Sequence, residues 1–374
     1  MTEIHGDYDE RFAKVPAILA EKLDASLDVG ASVAVYLDGE PVVDIWGGYV
    51  DEAHTARWER DTITNVFSTT KTMTAMCALV LADRGELDFH APVARYWPEF
   101  KAAGKESIEV RHLLGHTSGL AGWTEPLEPE DLADWEKCTA LLAAQAPWWP
   151  ERTQSGYHAV TQGYLVGEVV RRISGASLGT FFREQVAAPL GADFHIGLSP
   201  QDDARVARLI PPSQEATVAE FSNASELALR ALTNPGIGGE TSWETWWRRA
   251  EIPAANGHGN ARSVGAIQSL LACRGEARGV RLLSESGADV VFQEQSNGPD
   301  LVLGLPVRFG MGYGLSSDFM PIGPRACFWG GYGGSLCYID QDARLCVTYV
   351  MNRMAANLVG DTRGIDLVLA AATA

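Results

Sequence analysis

Apolar and polar positions alternate near both ends of the chain and recur with helical period through most of the middle. From Ala31, "ASVAVYLDGEPVVDIWGGYVD" reads as two β-rich runs joined at Asp38-Gly39, where glycine accepts the positive φ that a tight hairpin turn demands. Near the other end, "GSLCYIDQDARLCVTYVMN" repeats the pattern, with a turn around residues 340–343. The stretch from Tyr8 to Leu27 is predicted to be a helix, so the fold is expected to open with a helix and then a hairpin. "LVGDTRGIDLVLAAATA" is predicted to close the chain as another helix. In between, "TMTAMCALVLADRG" and "TQGYLVGEVVRRISG" read as helices stopped by Gly85 and Gly175, with connectors such as "APWWPERTQSG" between helical segments. Neither a repeat nor a low-complexity tract interrupts them. These elements predict an α+β fold in which both chain ends build one antiparallel sheet flanked by helices, with a mainly helical part inserted. In residue terms the expectation is a single domain over 1–374, its α/β part at 1–75 and 255–374 and its helical part at 76–254.

Composition narrows the function classes. With 46% hydrophobic and 21% charged residues, the 374-residue chain suits a globular protein with a sizeable core. A formal charge of −18 repels phosphate backbones and anionic lipid, so nucleic acid is not an expected partner. "MTEIHGDYDERFAKV" has acids where a signal peptide carries positive charge, and no later stretch approaches the roughly 18 apolar residues of a membrane span. A cytoplasmic protein without membrane contact is expected. The six cysteines, Cys77, Cys138, Cys273, Cys327, Cys337 and Cys346, lack C-x-x-C spacing and suit reduced core thiols better than a disulfide framework or a zinc site.

The chemistry centres on "NVFSTTKTMTA", which begins at Asn65. If a helix starts near Ser68, the i, i+3 spacing sets the Lys71 amine beside Ser68 Oγ. A serine hydroxyl needs an adjacent base, and a lysine among apolar neighbours loses enough basicity to serve as one. The plainer alternative is a serine N-cap followed by a solvated charge. Scarcity favours the pair, because the lysines are Lys14, Lys22, Lys71, Lys101, Lys105 and Lys137, and of these Lys71 has a serine three residues before it.

Four ordered segments give this motif a family context: "STTK", "VRHLLGHTSGL" from Val110, "ANGHGNARSVGAI" from Ala255, and "FWGGYGGSLCYIDQDARLCVTYVMNR". Together they resemble the serine β-lactamase and penicillin-binding-protein superfamily, in its class C-like branch and nearest the family VIII carboxylesterases. The resemblance spans nearly the whole chain and implies a β-lactamase-like fold, with the active site where the α/β and helical parts meet. It implies Ser68 as nucleophile, Lys71 and Tyr157 as its acid–base pair, and the backbone N–H groups of Ser68 and Tyr332 as an oxyanion hole. The family's Y-x-N motif falls at "YHA", so its Asn is Ala159 here. Its K-T-G motif falls at Trp329-Gly330-Gly331, where indole replaces the cation that anchors a penicillin carboxylate. Both departures favour neutral esters over β-lactams.

The expectation is therefore a serine carboxylesterase that hydrolyses small to medium carboxylic esters without cofactor or metal. Acyl transfer, or amide and β-lactam hydrolysis, by the same machinery is the nearest alternative, and a non-catalytic sensor of the same fold is a remote one. Trp329, Gly330, Gly331, His158 and His258 are expected at the substrate by motif position. His112 and His116 have the i, i+4 spacing of a zinc pair, but no Glu follows the first, and His116 is read as part of a turn. Ser177 in "GASLG" follows a helical stretch and is read as an N-cap rather than a nucleophile. "PWWP" and "WETWW" are read equally as acyl-pocket lining or packing.

Overall fold

Positive φ at both Asp38 and Gly39 (52° and 84°) makes the mirror-image turn that suits the right-handed twist of its flanking strands. The computed structural model, which describes residues 2–374 apart from the side chains of 218–221, sets this hairpin in a nine-stranded antiparallel sheet. Its strands are β1 (Ile4–Tyr8), β2 (Gly30–Leu37), β3 (Glu40–Gly48), β4 (Ser296–Pro299), β5 (Pro306–Phe309), β6 (Gly314–Leu315), β7 (Ala326–Gly330), β8 (Leu336–Asp340) and β9 (Leu345–Met351). The order across the sheet is β1-β3-β2-β9-β8-β7-β6-β5-β4. Strand β2 pairs with β9 from Ala31↔Met351 to Leu37↔Leu345, which joins the two ends of the chain at the centre of the sheet. The fold is α+β, with both chain ends in one antiparallel sheet as expected.

Both central strands are buried along almost their whole length, so each face of the sheet needs a cover. The helices that cover the sheet or position the site are α1 (Lys14–Asp24), α2 (Thr70–Asp83), α3 (Thr161–Ser174), α4 (Glu226–Thr233), α5 (Ala261–Ala272) and α6 (Thr362–Ala372). Gly265 of α5 lies against Tyr36 and Thr348, whereas Gly364 of α6 lies against Tyr349. Thr348 and Tyr349 are successive strand residues and point to opposite faces, so α5 and α6 cover opposite sides. Helix α6 also packs on α1. Helix α2 is buried from Thr70 through Leu81, as its apolar run without a polar stripe requires, and it packs on α3 in the helical part. The glycine stops are present, with Gly85 at φ 75° after α2 and Gly175 at φ 72° capping α3.

The helix expected over Tyr8 to Leu27 is present in shorter form as α1, after a helical turn at Glu10–Phe12, but the chain opens with a strand before it. Ile4–Tyr8 is a strand on the edge of the sheet, paired with β3 from Ile4↔Gly47 to Tyr8↔Val43, and α1 begins only at Lys14. Within this strand Gly6 takes φ 100°, and a side chain there would strike the Asp44 carbonyl of β3.

The chain ends are also tied by charge. Arg363 Nη1 donates to Asp28 Oδ1 at 2.7 Å, Tyr349 Oη donates to the same carboxylate at 2.7 Å, and Arg363 Nη2 donates to the Gly333 carbonyl at 2.7 Å. The Arg363 and Asp28 side chains are 8% and 0% exposed, so neither has water as an alternative partner. Removing one member of such a pair strands the other. The Arg363→Met variant is therefore expected to lose about 3–5 kcal/mol of unfolding free energy, read from urea denaturation, and an unchanged midpoint would contradict the assignment.

Candidate active site

The turn before α2 is under backbone constraint. Phe67, next to Ser68, has φ 41°, a conformation a bulky side chain adopts only when its surroundings impose it. Those surroundings are visible. Its ring packs on Trp247 and edge-on against Tyr332, and its carbonyl accepts the Thr70 hydroxyl at 2.5 Å, while Val66 N–H donates to Gly257 O at 2.9 Å. Thr69 Oγ1 lies 2.8 Å from Ser335 Oγ, which donates to Val66 O at 2.9 Å. Thus both threonines of "STTK" act as anchors, one toward the segment before α5 and one toward the β7–β8 connection.

Lys71 follows Ser68 by one turn and is almost fully buried, at 1% exposure. Its Nζ lies 3.0 Å from Ser68 Oγ and donates to the carbonyls of Ala159, at 2.6 Å, and Ala254, at 3.0 Å. Burial holds its pKa well below the usual lysine range. A neutral amine has two N–H bonds and one lone pair; with both N–H groups on carbonyls, the remaining direction faces Ser68 Oγ. In that neutral form the lone pair would meet the hydroxyl proton.

Tyr157 completes the cluster. Its hydroxyl lies beside Ser68 at the same cavity, Trp329 Nε1 donates to it at 3.4 Å, and Lys71 Nζ stands 4.8 Å from its ring centroid. Burial raises its pKa more strongly than the bonds from Ser68 and Trp329 lower it, so the phenol is neutral. Burial disfavours ammonium and phenolate alike.

Ser68, Tyr157 and Tyr332 open into a cavity of about 690 Å³. Its wall is mostly apolar, with Phe67, Leu229, Leu232 and Ile237 among the lining residues, and the charged side chain among them is the exposed Glu240. Much of this wall comes from residues 211–240, including α4, a stretch that carries no motif and gives no sign of its place in the sequence.

Other expected site residues are placed elsewhere. Trp329 is buried behind Tyr157, 5.4 Å between ring centroids, and serves as a donor to that residue rather than as an apolar wall for substrate. A Cβ on Gly331 would meet the Val66 carbonyl and Ser335 Oγ, and one on Gly330 would meet Gly360. The close approach these glycines permit is therefore to the turn before α2 and a neighbouring loop. His158 is fully buried, its Nδ1 donating to Gly156 O at 2.6 Å and its Nε2 2.6 Å from Ser118 Oγ. His258 sits on the short strand His258–Gly259 opposite Thr64–Asn65 and lines a separate cavity of about 330 Å³. Neither histidine is among the described residues lining the Ser68 cavity. His116 occupies a turn at φ 59° and its Nδ1 accepts His158 N–H at 3.1 Å; His112 Nδ1 accepts Glu109 N–H at 3.0 Å. Ser177 caps a helix by accepting Thr180 N–H. Of the tryptophans, Trp247 donates to Asn65 Oδ1 at 2.9 Å, Trp149 to Gln154 O at 3.0 Å and Trp243 to Leu209 O at 2.9 Å, so "PWWP" and "WETWW" pack and brace. All six cysteines are buried and free.

Known proteins share this arrangement of chain. The family described as Beta-lactamase matches residues 19–371. An esterase/beta-lactamase from Mycobacterium tuberculosis, LipL, is 36% identical over 368 residues, covering 95% of this chain and 84% of that protein. A crystal structure of a family VIII carboxylesterase superposes with a TM-score of 0.94 at 40% identity, covering 99% of each chain. A penicillin-binding protein homolog from Caulobacter crescentus gives a TM-score of 0.93 at 35% identity over the whole of both chains.

Four buried histidines govern acid stability. Burial lowers the pKa of His112 to about 4 and of His158 and His258 to about 3, and takes His116 well below its usual value. In the unfolded chain each titrates near 6.5, so below that pH the unfolded state takes up protons that the folded state refuses. The stabilisation is whole above about pH 6.5 and falls toward pH 4 on the order of 1 kcal/mol per histidine per pH unit. Urea midpoints measured between pH 7.5 and 4.5 should drop steeply over the lower part of that range, and a flat profile would contradict this reading.

Proposed function

The chain belongs to the beta-lactamase family and is a serine hydrolase, and we propose that it is a carboxylesterase that cleaves small to medium neutral esters through an acyl intermediate on Ser68. The observation that carries the mechanism is the Lys71 amine, with two N–H bonds held by carbonyls and its remaining direction 3.0 Å from Ser68 Oγ. As Ser68 Oγ attacks the ester carbonyl carbon, its proton passes to Lys71 Nζ. The neutral Tyr157 phenol, beside Ser68, gives a proton to the departing alkoxide and regains one from the Lys71 ammonium. Backbone N–H groups of Ser68 and Tyr332 are assigned to the developing oxyanion, and the strained, multiply anchored Phe67 turn sets the first of them. Water, deprotonated by the same pair, then releases the acid and restores Ser68.

Neutral esters suit the cavity better than β-lactams. No lysine follows Lys137, the residue at the family's Asn is Ala159, and Trp329 stands where a cation would be. Trp329 supplies Tyr157 with an uncharged donor, which keeps the phenol hydrogen-bonded without adding an anchor for a substrate carboxylate. The described lining offers an acid, Glu240, and no base. Among the described residues no helix is long and apolar enough to cross a membrane. A cytoplasmic location is our reading, supported by six free, buried thiols that a reducing compartment preserves.

On p-nitrophenyl butyrate, Ser68→Ala should abolish turnover and labelling by a fluorophosphonate. Lys71→Ala and Tyr157→Phe should each lower kcat by about 10²–10⁴-fold with native circular dichroism; near-normal rates in either would sink the mechanism. An ester of equal length ending in a carboxylate should show a lower kcat/KM than the neutral one, and equal values would contradict the neutral-substrate reading.

A further inference from the structure

Tyr157 lies in a segment without helix or strand, so local hydrogen bonding does not set its position. Three successive amides in that segment are held from outside instead. Gly156 N–H donates to His116 O at 3.0 Å, Tyr157 N–H to Asp300 Oδ1 at 3.0 Å, and His158 N–H to His116 Nδ1 at 3.1 Å. His116 belongs to the helical part of the chain. Asp300 belongs to the turn between β4 and β5, on the outer strands of the sheet.

Asp300 is an unusual residue to find there. Its side chain is buried, with the residue 2% exposed, and the partners of Oδ1 are amides rather than a cation: Val302 N–H at 2.9 Å and Leu303 N–H at 2.8 Å join that of Tyr157. Leu301 N–H donates to Ser155 O at 2.9 Å, a second bond between the same two segments. A buried carboxylate is costly unless it is hydrogen-bonded; Oδ2 has no partner among the described residues, so the group is held through Oδ1, and one of those bonds reaches across the fold to the backbone of Tyr157. Val302 and Leu303 are its near neighbours and could be bonded in any self-contained turn; Tyr157 is not. We propose that Asp300 is a positioning residue for the hydrolytic reaction, fixing the Tyr157 backbone so that its hydroxyl reaches Ser68 and the leaving alcohol.

This inference rests on the acid–base role proposed for Tyr157, and a double-mutant cycle separates the two. Initial rates on p-nitrophenyl butyrate are measured for the wild type, Asp300→Ala, Asp300→Asn, Tyr157→Phe and the Asp300→Ala/Tyr157→Phe double variant, each normalised to its folded fraction. Asp300→Ala should lower kcat on the order of 10²-fold with KM changed little, because the cavity that binds the ester is untouched. Asp300→Asn, which keeps an acceptor oxygen, should recover most of the loss. In the Tyr157→Phe background Asp300→Ala should cost no more than about threefold, since a tyrosine hydroxyl that is absent cannot be mispositioned. The positioning role alone is overturned if Tyr157→Phe is impaired while Asp300→Ala is normal, or if Asp300→Ala costs the same in both backgrounds. It is equally overturned if the lost activity merely follows the lost folded fraction. A normal Tyr157→Phe would overturn the parent mechanism and this proposal together.

Discussion

A lysine nitrogen placed where water cannot reach it constrains everything around it. The Lys71 amine is held by the Ala159 carbonyl, from the segment after Tyr157, and by the Ala254 carbonyl, from the segment before α5. Three stretches of chain far apart in sequence must therefore converge on one atom. A buried nitrogen in this setting is stable as the neutral amine, and a neutral amine with two N–H bonds committed has one direction left. That direction meets Ser68 Oγ. Burial thus lowers the basicity of the lysine, fixes its orientation and forces the convergence that brings Tyr157 alongside.

The convergence needs close backbone approaches, and small residues supply them. Gly331 lets the end of β7 lie against Val66, and Gly257 N–H donates to the Thr70 hydroxyl at 2.9 Å. Around them Ser335, Thr69 and Thr70 tie the nucleophile turn to the sheet on one side and to the segment preceding α5 on the other. The positive φ of Phe67 is sustained by this bonding together with its packing on Trp247 and Tyr332. The Arg363–Asp28 pair holds the carbonyl of Gly333, next to Tyr332, so the buried charges at the junction of the chain ends also brace the loop beside the nucleophile.

The electrostatic character of the cavity follows from what surrounds Tyr157. An indole N–H at Trp329 donates to its oxygen, and the rings of His116 and Trp329 lie 5.0 and 5.4 Å from its own. None of these groups brings a charge, because burial keeps His116 neutral. A mostly apolar wall faces Tyr157 across the cavity. Relatives described as an esterase/beta-lactamase, a family VIII carboxylesterase and a penicillin-binding protein homolog share the scaffold.

Local signals carried a good part of the fold. Alternation around Asp38-Gly39 and around 340–343 marked both hairpins, Gly85 and Gly175 marked two helix ends, and i, i+3 spacing put Ser68 beside Lys71, because each depends on residues adjacent in sequence. The edge strand Ile4–Tyr8 was not legible because its pairing partner, β3, lies some forty residues away and its own sequence has no alternation strong enough to declare it. Motif position alone placed Trp329, Gly330, Gly331, His158 and His258 at the substrate, yet motif position says only that a residue is near, not which way it faces. Whether indole lines a cavity or backs a tyrosine, and whether His258 opens toward Ser68 or toward another cavity, is set by how the sheet and the helical part close on one another. The same closure decides that residues 211–240 wall the cavity and that Asp300 reaches Tyr157, since both are contacts between segments that share no periodicity. What the sequence by itself determined was the reacting pair and the strands and helices that carry it; tertiary structure decided the orientation of every group around them, because burial and long-range hydrogen bonds have no local signature.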